Sequence, residues 1–581
     1  MSRIRSAATF DRRAFLTATG AVGAATGLGL AFGVGPDRQA QAATVAPGPA
    51  PAAPVPVDAP AVPRTPYTRG TTLAGVSAPR GSGGYRRLGD GPAWDRVVRA
   101  DLATAHGGRE ARRTALASFV QFTDLHLVDV QSPLRYEYLR AETASAWRPQ
   151  EALSVAGAVS LVERVNALPG GPATGAPLSF VMTTGDNTDN NSKLELEWFL
   201  TTMSGGRITP NSGDPRRYEG VQDSGLKLYW QPERALRDAD KKLGFPRLDG
   251  FLAAAIRTVH SPGLHLPWYS TVGNHDSLPG GCYAPGDPFW TEIATGGRKL
   301  ETLPAAEAAK VWKAVKDGLD PEGADFKRLL TAHAEQARRV TPDERRAPFT
   351  RAEYLRAHLD PAHTGPGPHG HGYTSAHLDE NRLYYTFKVS DDVLGISLDT
   401  TDPGGHYTGS VGDAQLRWLE GVLKQNEKGD KRHVLVFSHH TGKTMNNTRP
   451  DPARPHEKRH GGPELVEVLA AHPHVVGWIN GHSHKNEIIA HGSFWEVSTA
   501  SHIDFPQLAR VIELVDNHDG TLSLFTTLIE SAAPHRTDFG DLSQTGLAAL
   551  YRELSFNAPE ARSDLAGTAR DRNVELLLKR S

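Results

Sequence analysis

Aspartate, asparagine and histidine recur at five places in this chain, each time just after a short apolar run. Asp124-x-His126 follows residues 117–123, and Gly185-Asp186-x-x-Asp189 follows residues 178–184. Gly273-Asn274-His275-Asp276 follows residues 267–272, His439-His440 follows 433–438, and Gly481-His482-x-His484 follows 474–480. Runs that are short, apolar and ended by turn residues read as buried strands. The donors are oxygen and imidazole nitrogen with no thiolate, a set suited to Mn, Fe, Zn or Co. On an extended segment alternate side chains share a side, so Asp124 and His126 can reach one ion, and His482 and His484 repeat that spacing. Asp186 follows a glycine at a strand end, and its two carboxylate oxygens can bridge two ions. Two ions roughly 3.5–4 Å apart can clamp a phosphoryl group and generate hydroxide near neutral pH. Taken alone, Asn274 and Asp276 read as turn caps. The recurrence of the pattern gives them chemistry instead.

Helical spacing of apolar residues falls between the strand-like runs, at residues 150–167, 413–425 and 462–471. Residues 383–389 and 394–398 pair as a hairpin, and 509–515 with 521–529 flank the turn Asp516-Asn-His-Asp-Gly520. Strands alternating with helices, then hairpins, predict a layered α/β sandwich. Its site is expected beyond the carboxyl ends of the strands. The spacing of the motifs is uneven: 62 residues separate Asp124 from Asp186, 88 separate Asp186 from Asn274, and 165 separate Asn274 from His439. Residues 191–260 and 277–380 are therefore expected to be insertions, and insertions at the active face of a sheet form lids or substrate walls.

These motifs, in this order, resemble those of the calcineurin-like metallophosphoesterase superfamily over residues 119–486. Tyr384-Tyr-Thr-Phe387, Leu398-Asp399-Thr400 and Gln415-Leu-Arg-Trp-Leu419 resemble its cyclic-nucleotide phosphodiesterase and purple-acid-phosphatase-like branch. Arg12-Arg13 ahead of an Ala/Gly-rich segment, together with the long inserts, resembles a twin-arginine-exported actinobacterial subgroup. The resemblance implies a four-layer α/β/β/α sandwich and two divalent ions. Asp124, His126, Asp186 and His484 would hold the first ion, and Asp186, Asn274, His439 and His482 the second. It further implies hydrolysis of a small phosphomonoester or phosphodiester by a metal-bound hydroxide. His275 would act as general acid, oriented by Asp276 or Asp189. Purple acid phosphatases carry a tyrosine three residues after the bridging aspartate. Here that residue is Asp189, so a tyrosinate-bound ferric site is not expected. Of the remaining histidines, His440 is expected beside the metals or facing substrate. His369, His371, His472 and His474 are expected to have no specific catalytic role.

The 581-residue chain has a formal net charge of −2 and no basic excess that would favour nucleic acid or anionic lipid. Its single cysteine, Cys282, excludes an intramolecular disulfide and reads as a loop residue. Arg12-Arg13, the weakly apolar segment at 14–34 and Ala40-Gln-Ala42 form a twin-arginine signal over residues 1–42. The expected organisation is then a Pro/Ala-rich linker at 43–70, a catalytic domain at 71–530 and a helical tail at 531–581. No later run is long and apolar enough to span a membrane. The twin-arginine export machinery is thus an expected partner and the location is outside the cell. One rival reading is a non-catalytic surface protein that keeps a metal site. His275 speaks against it, because a purely structural site has little use for a histidine that ligates nothing. A zinc amidase is a second rival, and hydrolysis of a phosphoester but not of amides separates it from the leading reading.

Overall fold

The computed structural model describes residues 66–581 apart from residue 560. The twin-arginine segment and most of the linker lie outside the described residues. The strands of the two large sheets begin with β1 (Val97–Arg99), β2 (Thr114–Phe122), β3 (Val181–Thr184) and β4 (Trp268–Thr271). There follow β5 (Tyr385–Lys388), β6 (Val393–Ser397), β7 (His433–Phe437), β8 (Val475–Asn480), β9 (Glu487–Ala490) and β10 (Trp495–Ser498). The last are β11 (Leu508–Asp516), β12 (Thr521–Glu530) and β13 (Val574–Lys579). A seven-stranded sheet runs in the order β1-β13-β12-β11-β2-β3-β4, and a six-stranded sheet in the order β5-β6-β7-β8-β10-β9. Strands β2, β3 and β4 are mutually parallel, as are β6, β7, β8 and β10. Both expected hairpins form, as β5–β6 and β11–β12.

The sheets are joined by alternation. In β7, Leu435 and Phe437 face the core between the sheets. Val434 and Val436 point the other way, into a second core closed by two helices of the outer layer. The helices of the outer layers are α1 (Ser154–Asn166), α2 (Lys193–Ser204), α3 (Asp413–Lys428), α4 (Gly462–Ala470) and α5 (Gln544–Asn557). Leu416, Leu419 and Leu423 recur on α3 at helical spacing and, with Leu465 and Leu469 of α4, cover the six-stranded sheet. Helix α1 buries Val155, Val159 and Val162 in the core of the other sheet, and α2 and α5 pack beside it. The result is a four-layer α/β/β/α sandwich with large additions. Across the middle, the Phe437 ring meets Phe119 edge-on with centroids 5.6 Å apart, and Phe119 stacks on Phe180 at 4.7 Å. Such pairs add roughly 0.5–1.5 kcal/mol beyond their burial.

Two expectations are corrected. Residues 531–581 are not a helical tail: α5 joins the helical layer, and β13 pairs with β12 and β1 inside the main sheet. The first insertion starts later than residue 191, because α2 is part of the layer that covers the sheet. Among the described residues no helix is long and apolar enough to cross a membrane.

Candidate metal centre

Strands β2, β3 and β4 end on one edge of their sheet, and β7, β8 and β10 end on the facing edge of the other. The loops that leave these ends interlock. The Asp124 N–H donates to the Gly185 carbonyl (3.0 Å), His126 N–H to the Asp186 carbonyl (2.9 Å) and Gly481 N–H to the His439 carbonyl (3.0 Å). His275 N–H donates to Asp186 Oδ1 (2.8 Å) and His482 N–H to Asp124 Oδ2 (3.1 Å). So close a mesh leaves no room for side chains at two glycines. A Cβ at Gly273 would stand 2.2 Å from Asp186 Oδ1, and one at Gly481 would stand 1.9 Å from Thr123 Oγ1. Asp124, Asp186, His126, His482 and His484 all take left-handed backbone angles, with φ between 43° and 62°. A non-glycine residue held there costs about 1–3 kcal/mol, and such residues cluster where function demands the geometry.

The seven candidate ligands converge on Asp186 Oδ2. On one side His126 Nε2 lies 3.6 Å from it, and Asp124 Oδ1 lies 4.0 Å from that nitrogen and 3.3 Å from His484 Nε2. On the other side His439 Nε2 lies 3.1 Å from Asp186 Oδ2 and 3.0 Å from Asn274 Oδ1. His482 Nδ1 lies 3.1 Å from both Asn274 Oδ1 and His439 Nε2. Two donor sets therefore share one carboxylate oxygen. A divalent cation fits each of them. Asp124 Oδ1 and His126 Nε2 are buried and make no hydrogen bond, which costs about 1–3 kcal/mol per group unless something faces them. Imidazole nitrogens at 3.1 Å also need a proton or a cation between them.

Hydrogen bonds on the far nitrogens aim three of the imidazoles. His126 Nδ1 meets Asp189 Oδ1 at 2.9 Å, His484 Nδ1 meets Asp504 Oδ2 at 2.6 Å, and His439 Nδ1 donates to the Thr184 carbonyl at 2.8 Å. Each bond leaves Nε2 free to ligate. Arginines hold the two carboxylates in turn. Arg135 pairs with Asp189 and Glu151, and Arg148 grips Asp504 with two bonds of 2.6 and 3.1 Å. Asp504, Arg135 and Arg148 carry no motif in the sequence. Asp504 stands past β10, two residues after His502, with no glycine-flanked ligand motif, and the fold shows its role.

The charges follow. Burial alone would lower both histidines, but Asp186 beside His439 and Asp124 beside His484 raise them to about 9 and about 10. Burial would raise Asp186, but His439 and His275 hold it well below the usual carboxylate range.

His275 stands outside the two donor sets that share Asp186, though it also neighbours His126 and Asp189. Its Nδ1 meets the Asp189 backbone carbonyl at 2.6 Å, and Nε2 turns toward the cavity beside Gly281, where a Cβ would lie 2.5 Å away. Of the two orienting residues expected, Asp276 and Asp189, it is Asp189 that meets the ring, through its backbone carbonyl rather than its carboxylate. Burial and then the nearby Asp186 raise Asp276 to about 6. Its carboxylate accepts from the N–H groups of Gly273 (3.0 Å), Asn187 (3.2 Å) and Thr188 (2.9 Å), which fixes the turn that carries His275. His440 lies beside the centre, its ring 4.4 Å from that of His482, with Nδ1 on Thr400 Oγ1 (2.9 Å) and Nε2 on the Tyr407 carbonyl (3.0 Å). His371 is buried against Trp268, its ring centroid 3.3 Å away. His472 pairs with Glu427, and His474 meets Ser581. Cys282 borders the cavity with its thiol pushed up by burial, so it stays protonated and is no nucleophile.

No family model matches this chain. A stretch of 79 residues, 14% of the chain, is 34% identical to a manganese-dependent ADP-ribose/CDP-alcohol diphosphatase of Xenopus tropicalis. The same length is 30% identical to the protein of that name from Xenopus laevis. The chain spans about a fifth of the length of these curated relatives (21% and 20%). Among solved structures, a dimetal phosphatase from Danio rerio aligns over 72% of this chain and 100% of its own, with 11% identity and a TM-score of 0.35. A putative 5′-nucleotidase from Staphylococcus aureus aligns over 75% of this chain and 58% of its own, with 12% identity and a TM-score of 0.28. At those scores the solved structures define neither the activity nor the substrate of this chain.

Proposed function

We propose that this chain is an exported, dinuclear metal-dependent phosphoester hydrolase of the calcineurin-like superfamily. The observation that carries the reading is the pair of donor sets meeting at Asp186 Oδ2, with His275 beside them and its Nε2 turned to the cavity. Asp124, His126 and His484 would hold one ion, and Asn274, His439 and His482 the other, with Asp186 common to both. When bound, the ions supply charge neutralisation at the phosphoryl oxygens and an activated water. Manganese is the first metal to test, since the curated relatives carry it in their names.

The protein's own part in the reaction is proton transfer and placement. His275 keeps Nδ1–H on the Asp189 carbonyl, so Nε2 is the nitrogen that exchanges protons. As an imidazolium it donates from Nε2 to the leaving oxygen as the P–O bond breaks. A general acid in this position is worth about 10²–10⁴ in rate. Asp276 acts only by holding the turn. Export rests on the Arg12-Arg13 signal, and a location outside the cell follows from it.

The test is hydrolysis of para-nitrophenyl phosphate and its bis-ester by the chain with and without added Mn, Zn or Fe. Turnover should need metal, fall in Asp186→Asn and fall in His275→Ala. Hydrolysis that survives both substitutions would remove the reading.

A further inference from the structure

The cavity over the metal centre holds about 490 Å³, enough for an organic group larger than phosphate. Tyr136, Trp312 and Tyr407 are among the aromatic side chains on its walls. Trp312 and Val315 come from the second insertion, on the helix Ala305–Lys316, whose buried stripe is Ala308, Val311 and Ala314. An adjoining apolar strip on that helix thus faces the cavity and leaves the half-buried Trp312 indole on its wall.

The helix packs against the turn Glu137–Leu139, next to Tyr136. The Tyr136 hydroxyl donates to the Gly280 carbonyl at 2.7 Å, beside Gly281 and the His275 ring. That places one aromatic wall next to the proton donor. Tyr407 forms a wall near the other donor set, its ring 24° from the plane of His482 with centroids 6.5 Å apart. It is fastened to the insertion through His406, whose N–H donates to the Cys282 carbonyl (2.6 Å) and whose Nε2 donates to the Lys316 carbonyl (3.3 Å). The arginines that line the cavity are already engaged. Arg148 is bidentate on Asp504, and Arg562 on Asp564.

Resting on the phosphoesterase reading, we infer that the substrate carries a flat aromatic group on its phosphoryl ester, such as a nucleobase or an aryl ring, and that Trp312 and Tyr407 select it. Electron-rich indole and phenol rings hold a flat ring by offset or edge contact, and a base–aromatic stack commonly changes affinity tenfold or more. Engaged arginines leave ring contact, rather than extra negative charge, as the means of recognition.

The test is calorimetric binding of methylphosphonate, hexylphosphonate and phenylphosphonate to the manganese-loaded full chain. The first probes the phosphoryl site alone, the second adds apolar carbon, and the third adds a ring with the same carbon number. Phenylphosphonate should bind about tenfold tighter than methylphosphonate and tighter than hexylphosphonate. Trp312→Ala and Tyr407→Ala should each cut the phenyl preference to under about threefold with methylphosphonate unchanged. Trp312→Phe should keep the preference, which shows that the wall still folds. Methylphosphonate binding with no phenyl preference over hexyl would overturn this inference and leave the phosphoesterase reading standing. Binding of none of the three would overturn both.

Discussion

Four groups stand in a row at His484. Arg148 grips Asp504, Asp504 takes His484 Nδ1, and His484 Nε2 faces Asp124. Removing the middle carboxylate should free the imidazole to rotate. Asp504→Asn is therefore expected to weaken manganese affinity about 10–100-fold, read by competition with a chelator dye. An unchanged affinity would mean that the ring is aimed by something else. His275→Ala should behave in the opposite way, with metal content retained and kcat lower by about 10²–10⁴. Loss of metal in that variant would make His275 a ligand. The residues that gather around Asp186 lie in paired or glycine-flanked motifs that the sequence shows directly, because strand ends impose regular spacing on them. Asp504 and Arg148 could not, since an orienting carboxylate need only reach one nitrogen and carries no spacing of its own. By adjacency Asp276 reads as an orienter of His275, but a turn so tight needs its carboxylate for three backbone N–H groups.

At the scale of the elements, the metal centre depends on loops packed backbone to backbone. Gly481→Ala would push a methyl group into Thr123 Oγ1 and Asp124 Oδ2. Overpacking of this kind costs about 1–3 kcal/mol. The expected outcome is a lower melting temperature together with loss of the ion held by Asp124, His126 and His484. Full metal content at an unchanged melting temperature would show that the loops can yield. Strands β2, β3, β4, β7 and β8 were readable because each is a short apolar run ended by a turn. Strand β13 was not, although Val574–Lys579 is apolar, because the polar and charged residues before it read as a tail. Its partner β12 lies more than forty residues earlier, so its pairing is a long-range fact that no local pattern carries.

For the molecule as a whole, pH and metal should act against each other. In the metal-free protein His439 and His484 are raised to about 9 and about 10. A raised histidine stabilises the fold fully below its unfolded value, about 6.5, and that stability is lost as pH rises through the folded value. Buried Glu151, raised to about 7 chiefly by desolvation, loses stability in the same direction between its unfolded value and about 7. The metal-free protein should thus melt at lower temperature at pH 9 than at pH 6.5. Metal must displace the two histidine protons, so the rise in melting temperature on adding manganese should grow over that interval. A constant or shrinking rise, followed by scanning calorimetry, would contradict the charge balance described for the centre. The most direct test of the central claim is a manganese titration of the metal-depleted chain followed by electron paramagnetic resonance. Two equivalents should bind and give the signal of a magnetically coupled pair, and Asp186→Asn should abolish the coupling. One equivalent, or two ions that never couple, would contradict a centre built around a shared Asp186.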